Sequence, residues 1–122
     1  MRVRAATPHL LFACAGQSMF RLIGALADDT ALFARRIVTV ESVDTESLMV
    51  DWLSELVYLH EIYSVVLDAI TVIEWSPTQM IAMVDGHKLR QSPHMYIKAV
   101  TYHDLYIRLE DGRWTADIYF DI

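Results

Sequence analysis

The stretch "LYIRLEDGRWTADIYF", residues 105–120, decides the fold. Asp111-Gly112 at its centre is a strong two-residue hairpin signal, because a type I′ turn needs positive φ at both central positions. Pairing outward sets Glu110 opposite Arg113, Leu109 opposite Trp114, Arg108 opposite Thr115, Ile107 opposite Ala116 and Tyr106 opposite Asp117. One face of the ribbon is then wholly apolar. The other is polar and carries one opposite-charge pair, as cross-strand pairing favours. Continued without interruption, the register brings Leu105 to Ile118, Asp104 to Tyr119 and Tyr102 to Asp121.

Upstream of the hairpin, "HMYIKAVTYH" (94–103) reads as a strand whose Lys98, Thr101, Tyr102 and His103 fall within six positions. A strand that only fills a core needs fewer polar groups. "VVLDAITVIEW" (65–75) alternates as a strand does. Ser76-Pro77 then turns the chain into "QMIAMV" (79–84), and Asp85-Gly86 is a further turn signal. Before these strands the period is 3.6: Leu48, Trp52, Leu56, Leu59 and Tyr63 form an apolar stripe, with Asp44 or Thr45 as cap and Glu46 at the positive end of the helix dipole. "RRIVTVES" (35–42) is β-branched and reads as a strand. "SMFRLIGALA" (18–27) has helical spacing, with Ser18 or Gln17 to cap it, and "HLLFACAG" (9–16) reads as a first strand ending at Gly16. The expectation is one α+β domain over residues 1–122: a largely antiparallel sheet with two helices covering one face.

Composition narrows the function classes. At 122 residues and 54% hydrophobic, with four Gly and three Pro, the chain has enough apolar matter for one packed core. No apolar run reaches the ~20 residues of a membrane span. "LLFACA" near the N-terminus is too short for the apolar region of a secretory signal. The one cysteine, Cys14, gives neither a disulfide nor zinc-ligand spacing, so a reduced, cytoplasmic setting is expected. Ten Lys+Arg against 16 Asp+Glu leave a net charge of −6. Arg35-Arg36 and the trio Lys88, Arg90 and Lys98 are the local basic concentrations, which reads as a solvated surface, with RNA reached only indirectly through a partner protein.

Catalytic templates are missing: there is no phosphate loop, G-x-S-x-G, H-E-x-x-H or C-x-x-C. His60 and Glu61 point different ways on a helix, and His87 and His94 flank a polar loop. The end of the chain stands out. Asp121 lies beside the terminal carboxylate of Ile122, and two such groups repel unless a cation or lysine compensates. Carboxylate oxygens suit a hard cation such as calcium or magnesium.

"DWLSEL-YL" (51–59), "IKAVTYHDL" (97–105), the terminal "W-ADIYFDI" and "G-S-F-L-AL" around the first helix together resemble the archease family over nearly the whole chain. The resemblance implies two interleaved strand-helix-strand-strand modules. It implies a non-enzymatic accessory factor for a GTP-dependent RNA ligase of the RtcB type, acting in tRNA splicing or RNA repair by promoting ligase guanylylation and turnover through a metal-binding tip. Lys98, Thr101 and His103 would then contact the partner or phosphate. Asp121, with the carboxylate of Ile122, would hold a divalent cation, calcium in the first instance. The N-terminal His-Thr-Ala-Asp motif is altered: counting back from Gly16, its counterpart is "ATPH" (6–9), with His9 at the aspartate position. An imidazole in place of a carboxylate weakens a calcium site and shifts it toward metals that accept nitrogen, such as zinc. The chain itself would be a monomer or weak homo-oligomer. Two other classes compete. Related modules bind small ligands, and Trp75, Trp114, Met80, Met83 and Tyr96 could line such a pocket. A metal-dependent hydrolase would need His103 as its base.

Overall fold

A computed structural model describes residues 1–28, 32 and 34–122. The elements run β1 (Arg2–Ala5), α1 (Pro8–Leu22), β2 (Leu26–Ala27), β3 (Ala34–Glu41), α2 (Thr45–Tyr63), β4 (Val65–Ser76), β5 (Gln79–Gln91), β6 (Ala99–Glu110) and β7 (Arg113–Asp121). The α+β class and the two helices agree with the sequence reading. The antiparallel strands divide into two sheets.

The smaller sheet has the order β1-β7-β6, so its central strand pairs with the first strand of the described chain on one edge and with β6 on the other. The larger sheet is built around β5, which pairs with β3, β4 and, at its far end, β2. Everything from β2 to β5 is therefore inserted between α1 and β6 of the first module. The helices lock the modules together: α1 packs on β4 of the larger sheet as well as on β1, and α2 packs on β6 of the smaller sheet as well as on β4 and β3. The common core between them holds Trp52, Phe12, Phe20, Leu11, Met19 and Ile118, all buried. Trp52 Nε1 donates to the carbonyl of Phe12 at 2.9 Å, so the largest core side chain is paired as well as packed.

Four expectations need correction. Residues 9–16 are not a strand but lie within α1, which runs continuously through Gly16 to Leu22. Thr7 is the N-cap, accepting from Leu10 N, and Pro8 takes the first helical position, where its missing N–H costs nothing. Leu11, Phe12, Ala15, Gly16, Met19 and Phe20 form the buried stripe, a helical spacing that short-range alternation imitates. At Gly16 the helix lies so close to its neighbours that a Cβ would sit 2.7 Å from Ile70 and 2.8 Å from Leu56. The expected helix 18–27 stops at Leu22, because Gly24 at φ +72° turns the chain into β2. Asp85-Gly86 is no turn: both residues sit inside β5, where Asp85 pairs with Arg35 and Ala69 across the sheet and Gly86 pairs with Ala34. Finally, the expected strand 94–103 begins only at Ala99 and continues unbroken into the hairpin strand.

α2 follows the reading at its cap and through the first part of its stripe: Leu48, Trp52 and Leu56 are fully buried, but Leu59 is only half-buried and Tyr63 is exposed. Asp44 caps it by accepting from Ser47 N at 2.7 Å, and Ser64 at φ 52° ends it. His60 is buried in the last turn, where its Nδ1 lies 2.7 Å from the carbonyl of Val65 and its ring packs edge-on to Phe20.

Candidate functional site

The hairpin register holds from Glu110↔Arg113 through Tyr106↔Asp117, with Asp111 and Gly112 both at positive φ. Beyond that it changes. Thr101 pairs with Tyr119, Val100 with Phe120 and Ala99 with Asp121. Four residues of β6, Tyr102 to Leu105, thus face the single residue Ile118, and the expected pairs Tyr102–Asp121 and Asp104–Tyr119 do not form. Asp104 absorbs part of the excess at φ 52°, a left-handed conformation that Asp tolerates better than most residues. The neighbouring strand explains why β7 accepts the bulge. Ile118 N donates to Met1 O at 2.8 Å and Ile118 O accepts from the Met1 ammonium at 2.7 Å, so both peptide groups of Ile118 turn toward β1.

The slip carries the motif strand three residues along β7. Lys98 N now donates to the carbonyl of Asp121 at 2.7 Å, bringing the lysine to the strand end that holds Asp121 and Ile122. All three residues are exposed. Among the described residues the Lys98 ammonium makes no ion pair, including with the Asp121 carboxylate. Thr101 is half-buried, and its Oγ1 is buried without a partner. His103 stands on the bulge with Nε2 3.1 Å from Asp104 Oδ2, both side chains largely exposed, and its ring meets Tyr119 edge-on with centroids 6.5 Å apart. An exposed pair of this kind adds little to stability. The structure thus brings Lys98 to Asp121 through their backbones, while Thr101 pairs with Tyr119 further along β7 and His103 stands on the bulge beyond it.

His9 is not part of it. It lies in the first turn of α1, next to Pro8, and Pro8 lines a cavity with Trp114 at the hairpin end of β7. Trp114 and Asp121 are seven residues apart on one strand, about 24 Å at ordinary strand rise. The expected ligand set of His9, Asp121 and Ile122 is thus not assembled, because residues 8–22 form a helix that starts at the wrong end of the sheet. Among the described residues no group of three His, Cys, Asp or Glu side chains converges as a metal site. Asp121 supplies a single side-chain carboxylate, short of the about six to eight oxygens that calcium takes.

The residues considered for a ligand pocket also separate. Trp75 and Trp114 line a cavity of about 300 Å³ with Pro8, Thr45, Glu46, Pro77 and Ile107, and Met80 joins Trp75 in another opening. Tyr96 borders different cavities, with His60 and Glu61. Met83 pairs with Ile37 and Thr71 in the middle of the larger sheet.

The chain matches the model of the Archease protein family over residues 1–122. It is 39% identical over 94 residues to the archease of Methanosarcina mazei, covering 71% of this chain and 64% of that protein. It is 40% identical over 92 residues to the archease of Pyrococcus furiosus, covering 70% and 65%. The matched part thus spans just under two thirds of the length of these two relatives. The archease of Methanopyrus kandleri aligns over 99% of this chain and 90% of its own at 32% identity. In three dimensions the chain superposes on the crystal structure of a Thermotoga maritima archease, described as a possible chaperone, with a TM-score of 0.72 at 16% identity over 100% of this chain and 88% of that one. At that identity the likeness speaks for the fold alone. No helix among the described residues is long and apolar enough to cross a membrane. With the family match running the whole length and curated relatives above 30% identity, the chain belongs to the archease family.

Proposed function

We propose that this protein is a non-catalytic accessory factor for a GTP-dependent RNA ligase of the RtcB type, and that it acts through the tip where β6 and β7 end. Family membership supports the class of role. One structural observation carries the site: the three-residue slip that sets Lys98 against the backbone of Asp121. A straight hairpin would keep the lysine about 13 Å from the chain end. With the slip, Lys98 lies at Asp121 and His103 stands on the bulge of the same strand pair, all three exposed to a partner.

In this role Lys98 meets phosphate or an acidic group of the ligase, and His103 offers a hydrogen bond from the bulge. The donor set at Asp121 and Ile122 does not form a closed calcium site, so the role is assigned to the side chains without routing any step through a metal. The test is single-turnover guanylylation and multiple-turnover ligation by the cognate ligase, with and without this protein. Stimulation by the wild type and its loss in Lys98→Ala are expected. Equal rates in all three reactions would overturn the reading.

A further inference from the structure

The outer face of the smaller sheet gathers four arginines that lie far apart in the sequence. Arg2 and Arg4 of β1, Arg108 of β6 and Arg113 of β7 fall on the same side of the pleat, opposite the buried Val3, Ala116 and Ile118. Across the three strands the rows read Arg4–Thr115–Arg108 and Arg2–Asp117–Tyr106, with Arg113–Glu110 at the hairpin end. Four of the ten cations of a chain with net charge −6 thus meet two carboxylates on one face.

Those carboxylates hold the face in order. Asp117 accepts from Arg2 Nε at 2.6 Å and from Arg108 Nη1 at 2.9 Å, and Glu110 accepts from Arg108 Nε at 2.6 Å. Arg4 and Arg113 are exposed and make no ion pair among the described residues. Aromatic rings complete the platform. The Arg108 guanidinium lies over the Tyr106 ring, 5.2 Å from its centroid, while Tyr106 is still 58% exposed, and Tyr119 on the next row is 48% exposed.

A sheet face with free guanidinium groups beside open rings matches single-stranded RNA, whose phosphates pair with arginine and whose bases stack on aromatic side chains. An acidic peptide would use the arginines and leave the rings idle. We infer that the outer face of β1-β7-β6 binds single-stranded RNA, with phosphates on Arg4 and Arg113 and bases on Tyr106 and Tyr119. This replaces the expectation of purely indirect contact, which rested on sequence-local charge. The face runs along β7 toward the Asp121 tip, so a strand lying on it points at that tip.

The experiment needs no ligase, so its outcome is separate from that of the accessory role. Fluorescence anisotropy of a labelled oligouridylate, about 12 nucleotides long, is followed at low salt with the full chain. The double variant Arg4→Glu/Arg113→Glu should bind at least about tenfold more weakly, and its log–log salt slope should fall by about 1.4, at roughly 0.7 per lost phosphate contact. The charge-matched control Arg21→Glu/Arg90→Glu should bind like the wild type. Tyr106→Ala should lose about fivefold with the slope unchanged. Absence of binding by the wild type, or equal losses in the two charge variants, would sink the inference. So would oligoglutamate displacing the RNA at equal concentration with Tyr106→Ala indifferent, which would mark the face as a dock for an acidic protein.

Discussion

The two ends of the β6–β7 hairpin obey different rules. At the turn, five consecutive residue pairs follow from Asp111-Gly112 alone, although Thr115 of the polar face is fully buried and Leu109 of the apolar face is exposed. At the open end, four residues face one and the non-glycine residue Asp104 adopts positive φ. Local chemistry suffices where the ribbon only has to be stable. Next to Lys98 and His103 the ladder is interrupted, and there Met1 pairs with both peptide groups of Ile118. Bulges of this kind re-aim side chains at the rims of sheets.

The comparison can be broken at its base. Both ends rest on the core around Trp52, so Trp52→Ala should cost about 3–5 kcal/mol, with the lost bond to Phe12 O adding to the cavity. A denaturation midpoint near that of the wild type would separate α2 from the core. The turn end is next. Gly112→Val places a β-branched residue at φ +76°, and a loss of about 1–2 kcal/mol is expected in urea titration. The same substitution at Asp104 would sit at φ 52° in the bulge and should cost a similar amount, whatever the polar role of that site.

An acid titration separates the ends by charge. The Asp117 carboxyl is held below its ordinary value of 3.8, first by the hydrogen bond from Arg2, with burial opposing and Arg108 assisting. Its folded pKa is lowered, so its contribution is complete above 3.8 and is lost as the pH falls from there through the folded value. The stability gap between wild type and Asp117→Asn should therefore close on acidification below pH 3.8. A gap that stays constant would mean that the arginines do not act on this carboxylate.

The sharpest test is to remove the bulge. Deleting Tyr102–Asp104 takes out three residues and leaves Thr101 and Leu105 in one continuous register with Tyr119 and Ile118. We expect the deletion to fold with stability within about 1 kcal/mol, since the strand pairing is regularised and Leu105 keeps its inward parity. Ligase stimulation should fall, because His103 is deleted while Lys98 keeps its place against Asp121. The smallest structural effect belongs to Lys98→Ala, an exposed site expected to stay within about 0.5 kcal/mol while stimulation falls. Retained stimulation in both variants would move the site away from this tip.

Much of this was legible in the chain because the information was local. The Asp111-Gly112 turn, the Trp52 stripe and the β-branched runs each lie within one element. The first helix was not, although Thr7-Pro8 is a cap followed by the residue best suited to a first turn. The short apolar alternation of residues 9–16 competed with that signal and matched a strand equally well. Asp85-Gly86 misled because a turn dipeptide can be absorbed by a long central strand flanked on both sides. The arginine face was invisible for a different reason: Arg2 and Arg108 become neighbours only through Asp117, and no window of sequence contains them together. The site at the tip was half legible. A straight hairpin would have kept Lys98 and Asp121 apart, so a bulge was required, but no local pattern gives its size, because it is set by pairing between residues far apart in the sequence.

The pairing of β1 with β7 also has a consequence for biosynthesis. Val3 and Ala5 find their partners Ala116 and Trp114 more than a hundred residues later. During translation, at roughly 5–20 residues per second, the first strand waits several seconds for β7 to leave the ribosome, whereas α1 can pack on α2 and β4 as they emerge. The inserted module can close meanwhile, since β3, α2, β4 and β5 are contiguous. The nascent chain therefore passes through a stage with one finished sheet and one adhesive edge. Contacts of such long sequence separation also slow folding of the released chain. Production at low temperature or with a holdase chaperone should raise the yield of soluble protein most in variants that weaken the β1–β7 pairing.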